Sequence, residues 1–328
     1  MPSDEILERI KKDHEHIVAI KSEIAKAVTG QSAVVDSILR AIFANGSVLL
    51  EGVPGTAKTM LMRTVSHVMG CTFSRIQFTP DLLPSDILGI TTYERERGFY
   101  VLKGPIFANF VLADEINRAP PKVQSALLEC MQEKQVTIGR ETFPIQLPFF
   151  VLATQNPIES LGTYPLPEAQ IDRFIFKLSI GYPEEVEEEQ ILDRNMTTSK
   201  FESFMLERIS GPEQILSIQE DVKQIYTDAK IKKYIVQIVS ATRKPDKYNV
   251  RLGKYVDWGA SPRASIGLFI GAKADALLNG KSFVTPNNVK TVAHDVLRHR
   301  IIVNYEGQSE GITTDAIITE ILQKIPVP

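Results

Sequence analysis

The sequence predicts an α/β protein whose first half is a parallel five-stranded sheet with helices on both faces and whose second half is mainly helical. Three observations predict it. Five short apolar runs rich in β-branched and aromatic residues alternate with helical segments across residues 47–180, as strands buried on both faces do. One of these runs leads through a glycine-containing loop directly into a helix. After Tyr182-Pro183 such runs give way to apolar residues at helical spacing.

In chain order, Ile6, Ile10, Ile17, Ile20, Ile24 and Val28 form a helical stripe among charges. Strands are expected at Ser47–Leu50, Thr72–Phe78, Asn109–Ala113, Phe149–Thr154 and Phe174–Ile180, with the clearest intervening helices at Lys58–Met69 and Lys122–Glu133. Two insertions interrupt this rhythm. Asp81–Pro105, with Gly89, Gly98 and Gly104, reads as a β-containing excursion, and Gln135–Phe143 as a hairpin turning at Gly139. Helical spacing then covers Glu184–Asn195, Asp221–Arg243, Pro262–Leu278 and Pro286–Arg300, giving expected domains of 1–182 and 183–328. Trp258 is assigned to the core of the second. The acids Glu184, Glu185, Glu187, Glu188 and Glu189 are assigned to a solvated helix face, near an N-terminus that suits them.

The 328 residues are 43% hydrophobic and 23% charged, with a net charge of −3. That composition excludes global disorder and carries no bulk signature for nucleic acid or an anionic membrane. The longest apolar stretches, such as Phe149–Ala153, are far shorter than the roughly 18 residues that span a bilayer. The N-terminus has no signal-peptide core. Cys71 and Cys130 form no CxxC pair and the histidines show no ligand spacing, so a reduced cytoplasmic protein without structural zinc is expected.

Chemistry concentrates where strands end. Val48–Glu51 runs into Gly52-Val53-Pro54-Gly55-Thr56-Ala57-Lys58-Thr59, followed by Met60 and a helix. Free backbone N–H groups and the helix dipole favour phosphate at such a turn. Lys58 is expected to reach the β- and γ-phosphates of a nucleotide and the Thr59 hydroxyl to ligate Mg²⁺. The strict pattern wants glycine at Ala57, and alanine fits there if its φ is below zero.

Asn109–Ala113 ends in Asp114-Glu115, and two acids closing a buried strand are costly unless a cation meets them. Asp114 is expected to hold Mg²⁺ through water, and Glu115 to orient and polarise an attacking water. The alternative is an acidic helix cap. Phe149–Thr154 ends in Gln155-Asn156-Pro157, where the Asn156 amide can bridge a γ-phosphate and a water without adding charge; Asn-Pro alone also signals a turn.

These motifs resemble those of the AAA+ ATPases, P-loop enzymes with a helical lid, and specifically of the MoxR family. The resemblance rests on Gly52–Thr59, Ala113–Ala119, Ala153–Pro157, Leu166–Phe174 and Gly259–Ala264, and it spans nearly the whole chain. An Ala-Lys ending to the phosphate loop is usual in that family. The resemblance implies ATP and Mg²⁺ as cofactors, and Asn156 as sensor 1. It implies Arg173 as an arginine finger on a neighbouring subunit's ATP, Arg263 as sensor 2 reaching from the lid, and Gly30-Gln31 near the adenine. It further implies a homo-oligomeric ring, a hexamer, with a chaperone-like action on protein clients, von Willebrand factor A domain proteins among them.

Two physical checks bear on the arginines. A finger is worth about 10³–10⁵ in rate; a salt bridge to Asp172 or Glu168 is the alternative for Arg173. Arg263 follows Ser261-Pro262, a cap and first helical residue, where a cation opposes the dipole unless both face an anion. The insertions match the helix-2 insert and pre-sensor 1 hairpin of this branch. Arg95, Arg97 and Lys103 are mostly offset by Glu94 and Glu96, while Glu133, Lys134, Arg140 and Glu141 cancel across the hairpin. That balance disfavours a nucleic-acid motor or loader. Phe99, Tyr100 and Val101 either grip protein or pack within their own small sheet. A nucleotide switch without turnover is the remaining alternative.

Overall fold

The computed structural model describes residues 4–52, 57–96, 98–156, 162–182, 185–193 and 201–328. Its sheet is built from β1 (Val48–Gly52), β2 (Phe73–Gln77), β5 (Phe110–Asp114), β8 (Phe150–Gln155) and β9 (Phe176–Ile180), in the order β2-β5-β8-β1-β9. All neighbouring pairs are parallel, so every strand delivers its last residue to the same edge. Ligands bind such sheets at that edge, where strand order reverses. Strand β2 lies at the rim and is only partly buried, unlike β5 and β8, which are buried up to their last residue.

Period-two alternation sorts side chains onto two faces. Val48, Leu50, Phe110, Leu112 and Phe150 point to one, packing with α1 (Asp4–Ile24), α2 (Ser32–Phe43) and α3 (Lys58–Val68). Leu49, Val111, Ala113, Val151 and Ala153 point to the other, against α4 (Pro84–Leu88) and α5 (Pro121–Glu133). The α1 stripe is realised by buried Ile10, Ile17, Ile20 and Ile24.

The later residues form α7 (Glu185–Asp193), α8 (Pro212–Gln224), α9 (Ala229–Arg243), α10 (Pro262–Leu278), α11 (Pro286–Leu297), α12 (Tyr305–Ser309) and α13 (Thr314–Lys324). The apolar faces of α8, α9, α10, α11 and α13 join the first sheet face in one continuous core. A part-buried polar link fastens the halves together, and a buried one braces its acid within the later helices. Arg40 Nε donates to Asp275 Oδ1 at 2.6 Å, and Asn288 Nδ2 to Asp275 Oδ2 at 2.7 Å. The segment Asp221–Arg243, read as one helix, is two, because the Asp228 side chain accepts from Lys230 N and starts α9 afresh. Of the acidic run, Glu185, Glu188 and Glu189 are exposed, whereas Glu187 is half-buried.

The first insertion is α4 followed by the hairpin β3 (Gly89–Glu94) and β4 (Gly98–Lys103). Val101 packs on the second core, but Phe99 stays 79% exposed beside Tyr93. Lys103 turns onto the Phe107 and Phe143 rings. The second insertion is the hairpin β6 (Gln135–Ile138) and β7 (Glu141–Pro144), turning at Gly139 with φ +64°.

Trp258 departs from its expected place. It lies on β10 (Val256–Trp258), paired only with β11 (Ile302–Val303), and is 69% exposed. A two-stranded ribbon on the surface has one face without cover, and Trp258 is on it.

Candidate active site

The carboxyl edge of the sheet gathers the first group of expected residues. Gly52 closes β1, and α3 begins at Lys58, whose Nζ donates back to Gly52 O at 2.6 Å. Burial pushes the Lys58 ammonium below its ordinary value, while the charges of Asp114 and Glu115 pull it up. Thr59 and Met60 are half-buried in the first turn. Val53, Pro54, Gly55 and Thr56 lie outside the described residues. Ala57 has φ +53° and ψ 28°, so the condition under which alanine fits without strain, a negative φ, is not met. The entry to α3 requires a left-handed residue, so alanine sits where the strict motif has glycine, at a cost of about 1–2 kcal/mol.

The register explains how the acids are held. Gln77 pairs with Asp114, and Ala113 with Ala153, so Asp114 lies between the ends of β2 and β8. Thr154 Oγ1 donates to Asp114 Oδ1 at 2.7 Å and accepts from Glu115 N at 2.8 Å. Arg75 grips Asp114 Oδ2 through Nη2 at 2.6 Å and Nε at 3.1 Å. Glu115, itself left-handed at φ 56°, accepts from Arg118 Nη1 and Gln77 Nε2, each at 2.9 Å. The cations that the two acids require are therefore Arg75 and Arg118, with Lys58 nearby. Asn156 follows β8 directly and is buried.

Gly30 and Gln31 form the turn into α2, with Gly30 at φ +74° and Gln31 as N-cap. A Cβ at Gly30 would come within 2.5 Å of Glu187 Cδ, so glycine admits α7 to this turn.

The two remaining arginines lie elsewhere. Arg173 precedes β9, and with Arg263 it lines a cavity of about 380 Å³ whose wall includes Gly46 and Ser47, the residues before β1. This is the amino edge of the sheet. The five residues of β1 put roughly 17 Å between it and the phosphate turn. Arg173 is exposed, and its Nη1 donates only to Leu128 O, at 3.4 Å, among the described residues. Asp172 does not pair with it. Its Oδ1 accepts from Arg300 Nε at 2.7 Å and its Oδ2 from Ser261 Oγ at 2.9 Å, with Arg263 Nη1 at 3.6 Å. Arg300 is buried and also donates to the carbonyls of Asp172 and Phe174, fixing the loop before β9 to α11.

Sequence reasoning missed Arg75, Gln77, Thr154 and Arg300. Arg75 and Gln77 carried a faint signal, two polar residues at i and i+2 on one strand face. Arg300 carried none, since its partner is 128 residues away.

A parallel sheet with a phosphate turn and a clustered acid pair at its ligand edge defines a nucleotide-binding enzyme. The ATPase family associated with various cellular activities (AAA) matches residues 47–176, and the AAA lid domain matches residues 250–321. The fold is that of an AAA ATPase, an enzyme that binds and hydrolyses ATP. "Chaperone MoxR1" of Mycobacterium tuberculosis is 46% identical over 93% of this chain and 81% of its own length. "Protein MoxR" of Methylorubrum extorquens is 31% identical over 93% of both chains. A crystal structure from Cytophaga hutchinsonii superposes with a TM-score of 0.92 at 46% identity, covering 98% of each chain. The chain belongs to the MoxR family. Among the described residues no helix is long and apolar enough to cross a membrane.

Proposed function

We propose that this ATPase hydrolyses Mg²⁺-ATP at interfaces between copies of itself in a hexameric ring, and uses the cycle to remodel or mature client proteins. One observation carries the reading: Arg173 and Arg263 lie at the opposite edge of the sheet from Lys58, Asp114, Glu115 and Asn156. The length of β1, roughly 17 Å, separates them, so neither arginine reaches its own phosphate turn. A second copy presenting its amino edge supplies both.

Within each site the backbone of Gly52–Thr59 and the Lys58 ammonium bind the phosphates, and Glu115 orients and deprotonates the attacking water. Asn156 positions that water against the γ-phosphate. The partner's arginines neutralise charge that develops in the transition state. The donor set fits Mg²⁺, which binds through few protein oxygens plus phosphate and water. Thr59 and Asp114 would hold it, the latter through water, and it would supply charge neutralisation on the β- and γ-phosphates. Among the described residues there is no cluster of three or more acid, histidine or cysteine ligands, so no all-protein cage competes. A chaperone role is supported by the name of the mycobacterial relative. Clients with von Willebrand factor A domains follow from the family resemblance alone.

The test is Mg²⁺-ATPase rate per subunit against protein concentration, with Arg173→Ala in parallel. Rising specific activity that Arg173→Ala abolishes, by about 10³ or more, is the expected result. Activity that is flat in concentration and indifferent to Arg173 overturns the ring mechanism.

A further inference from the structure

The cavity at the amino edge holds more positive charge than its own chain answers. Lys134, Arg173, Arg263 and Arg300 line it, against a single carboxylate, Asp172. That carboxylate is already committed to Arg300 and Ser261, with Arg263 at the longer 3.6 Å. Among the described residues, Arg173 and Lys134 have only backbone carbonyls, Leu128 O at 3.4 Å and Phe149 O at 3.3 Å.

Lys134 is the unexpected member. The sequence counts it only among the charges that cancel across the β6–β7 hairpin. Instead it caps α5 in the left-handed region, at φ 54°, and is half-buried with Nζ 5.0 Å from the Phe149 ring centroid. Burial pushes its ammonium down to about 8, with no acid to restore it. The carboxyl end of α5 favours a cation, but a fully solvated lysine there would enjoy that without desolvation. A half-dry cation beside two under-answered arginines suits an anion arriving from outside the chain.

We propose that Lys134 acts with Arg173 and Arg263 as a third phosphate-directed cation, contacting nucleotide bound to a second copy of this chain. The proposal rests on the two-edge reading above and extends it to a residue that no motif marks. Three cations around about 380 Å³ match the clustered charge of a polyphosphate better than that of one carboxylate. The role is electrostatic, and no bond to Lys134 is made or broken.

The experiment uses Lys134→Gln, whose amide removes the charge and keeps an N–H donor, and Lys134→Arg, which keeps the charge. The first is expected to lower the ATPase rate at least about tenfold, and the second to retain most of it. Lys134→Gln is then mixed in equal amounts with Glu115→Gln, which keeps its amino edge intact. Random pairing rebuilds intact sites at about a quarter of the heterologous interfaces, so activity returns towards that fraction if Lys134 acts across the interface. Arg173→Ala mixed with Glu115→Gln runs alongside. Recovery in the Lys134 mixture supports the proposal. Recovery with Arg173→Ala but not with Lys134→Gln overturns the proposal and leaves the two-edge reading standing. Recovery in neither overturns both. Undiminished activity of Lys134→Gln alone also overturns it.

Discussion

The two edges of one sheet handle charge in opposite ways. At the carboxyl edge each acid meets a cation of its own chain: Asp114 takes Arg75, and Glu115 takes Arg118. At the amino edge cations exceed acids, and the one carboxylate is committed within its own chain. The first edge is close to neutral by itself. The second is complete only when something anionic is brought to it. Under the ring reading proposed above, a site divided this way would link chemistry to assembly, because nucleotide bound at one edge is what the other edge lacks.

The largest test of this contrast is at Glu115. Glu115→Gln is expected to lower hydrolysis by about 10²–10⁴ while ATP binding persists, measured by single-turnover hydrolysis and by equilibrium binding. Equal loss of binding would mean that the carboxyl edge needs its acid for structure, and the contrast would weaken. At the amino edge, Asp172→Ala should cost about 3–5 kcal/mol of stability, because it strands the buried Arg300; urea denaturation measures this. A neutral result there would show that the excess cations are solvated and hold nothing.

A pH titration sharpens the contrast further. Lys134 faces Arg173, Arg263, Arg300 and Asp172 across the cavity, and its folded value of about 8 lies below the ordinary 10.5. Between those values the unfolded chain binds the extra proton, so this group's contribution to stability increases as pH rises from about 8 to 10.5. The wild type should gain up to about 3 kcal/mol over Lys134→Gln across that window, read from denaturation at each pH. A constant difference would place the ammonium in water. The smallest effect concerns backbone strain at the carboxyl edge. Ala57→Gly removes the left-handed penalty and adds glycine's entropy loss, for a net gain of about 0.5–1 kcal/mol, visible as a raised Tm. A loss would mean that the alanine methyl contributes packing that outweighs the strain.

Much of this was legible in the sequence for identifiable reasons. The five strands are visible as apolar runs, and the residues at or just past their ends, Gly52, Asp114 and Asn156, are picked out by motif, position and family resemblance together. Trp258 misled because a large apolar residue predicts burial only where a neighbour covers it, and β10 has one partner strand. Ala57 misled because a left-handed backbone is a property of the turn and not of the residue. The Asp221–Arg243 segment misled because apolar spacing continues across a break that the Asp228 cap creates.

What the sequence by itself determined was the set of local units: helical stripes, strands, a phosphate turn and an acid pair, each set by periodicity or spacing within about a dozen residues. The tertiary structure alone decided which units share an edge. The parallel register carries Thr154 and Arg75 to Asp114, and it leaves Arg173 and Lys134 at the far end of the sheet from Lys58. Separation along the chain says nothing about these distances, because strand order and crossover set them, and both are fixed by packing the whole core at once.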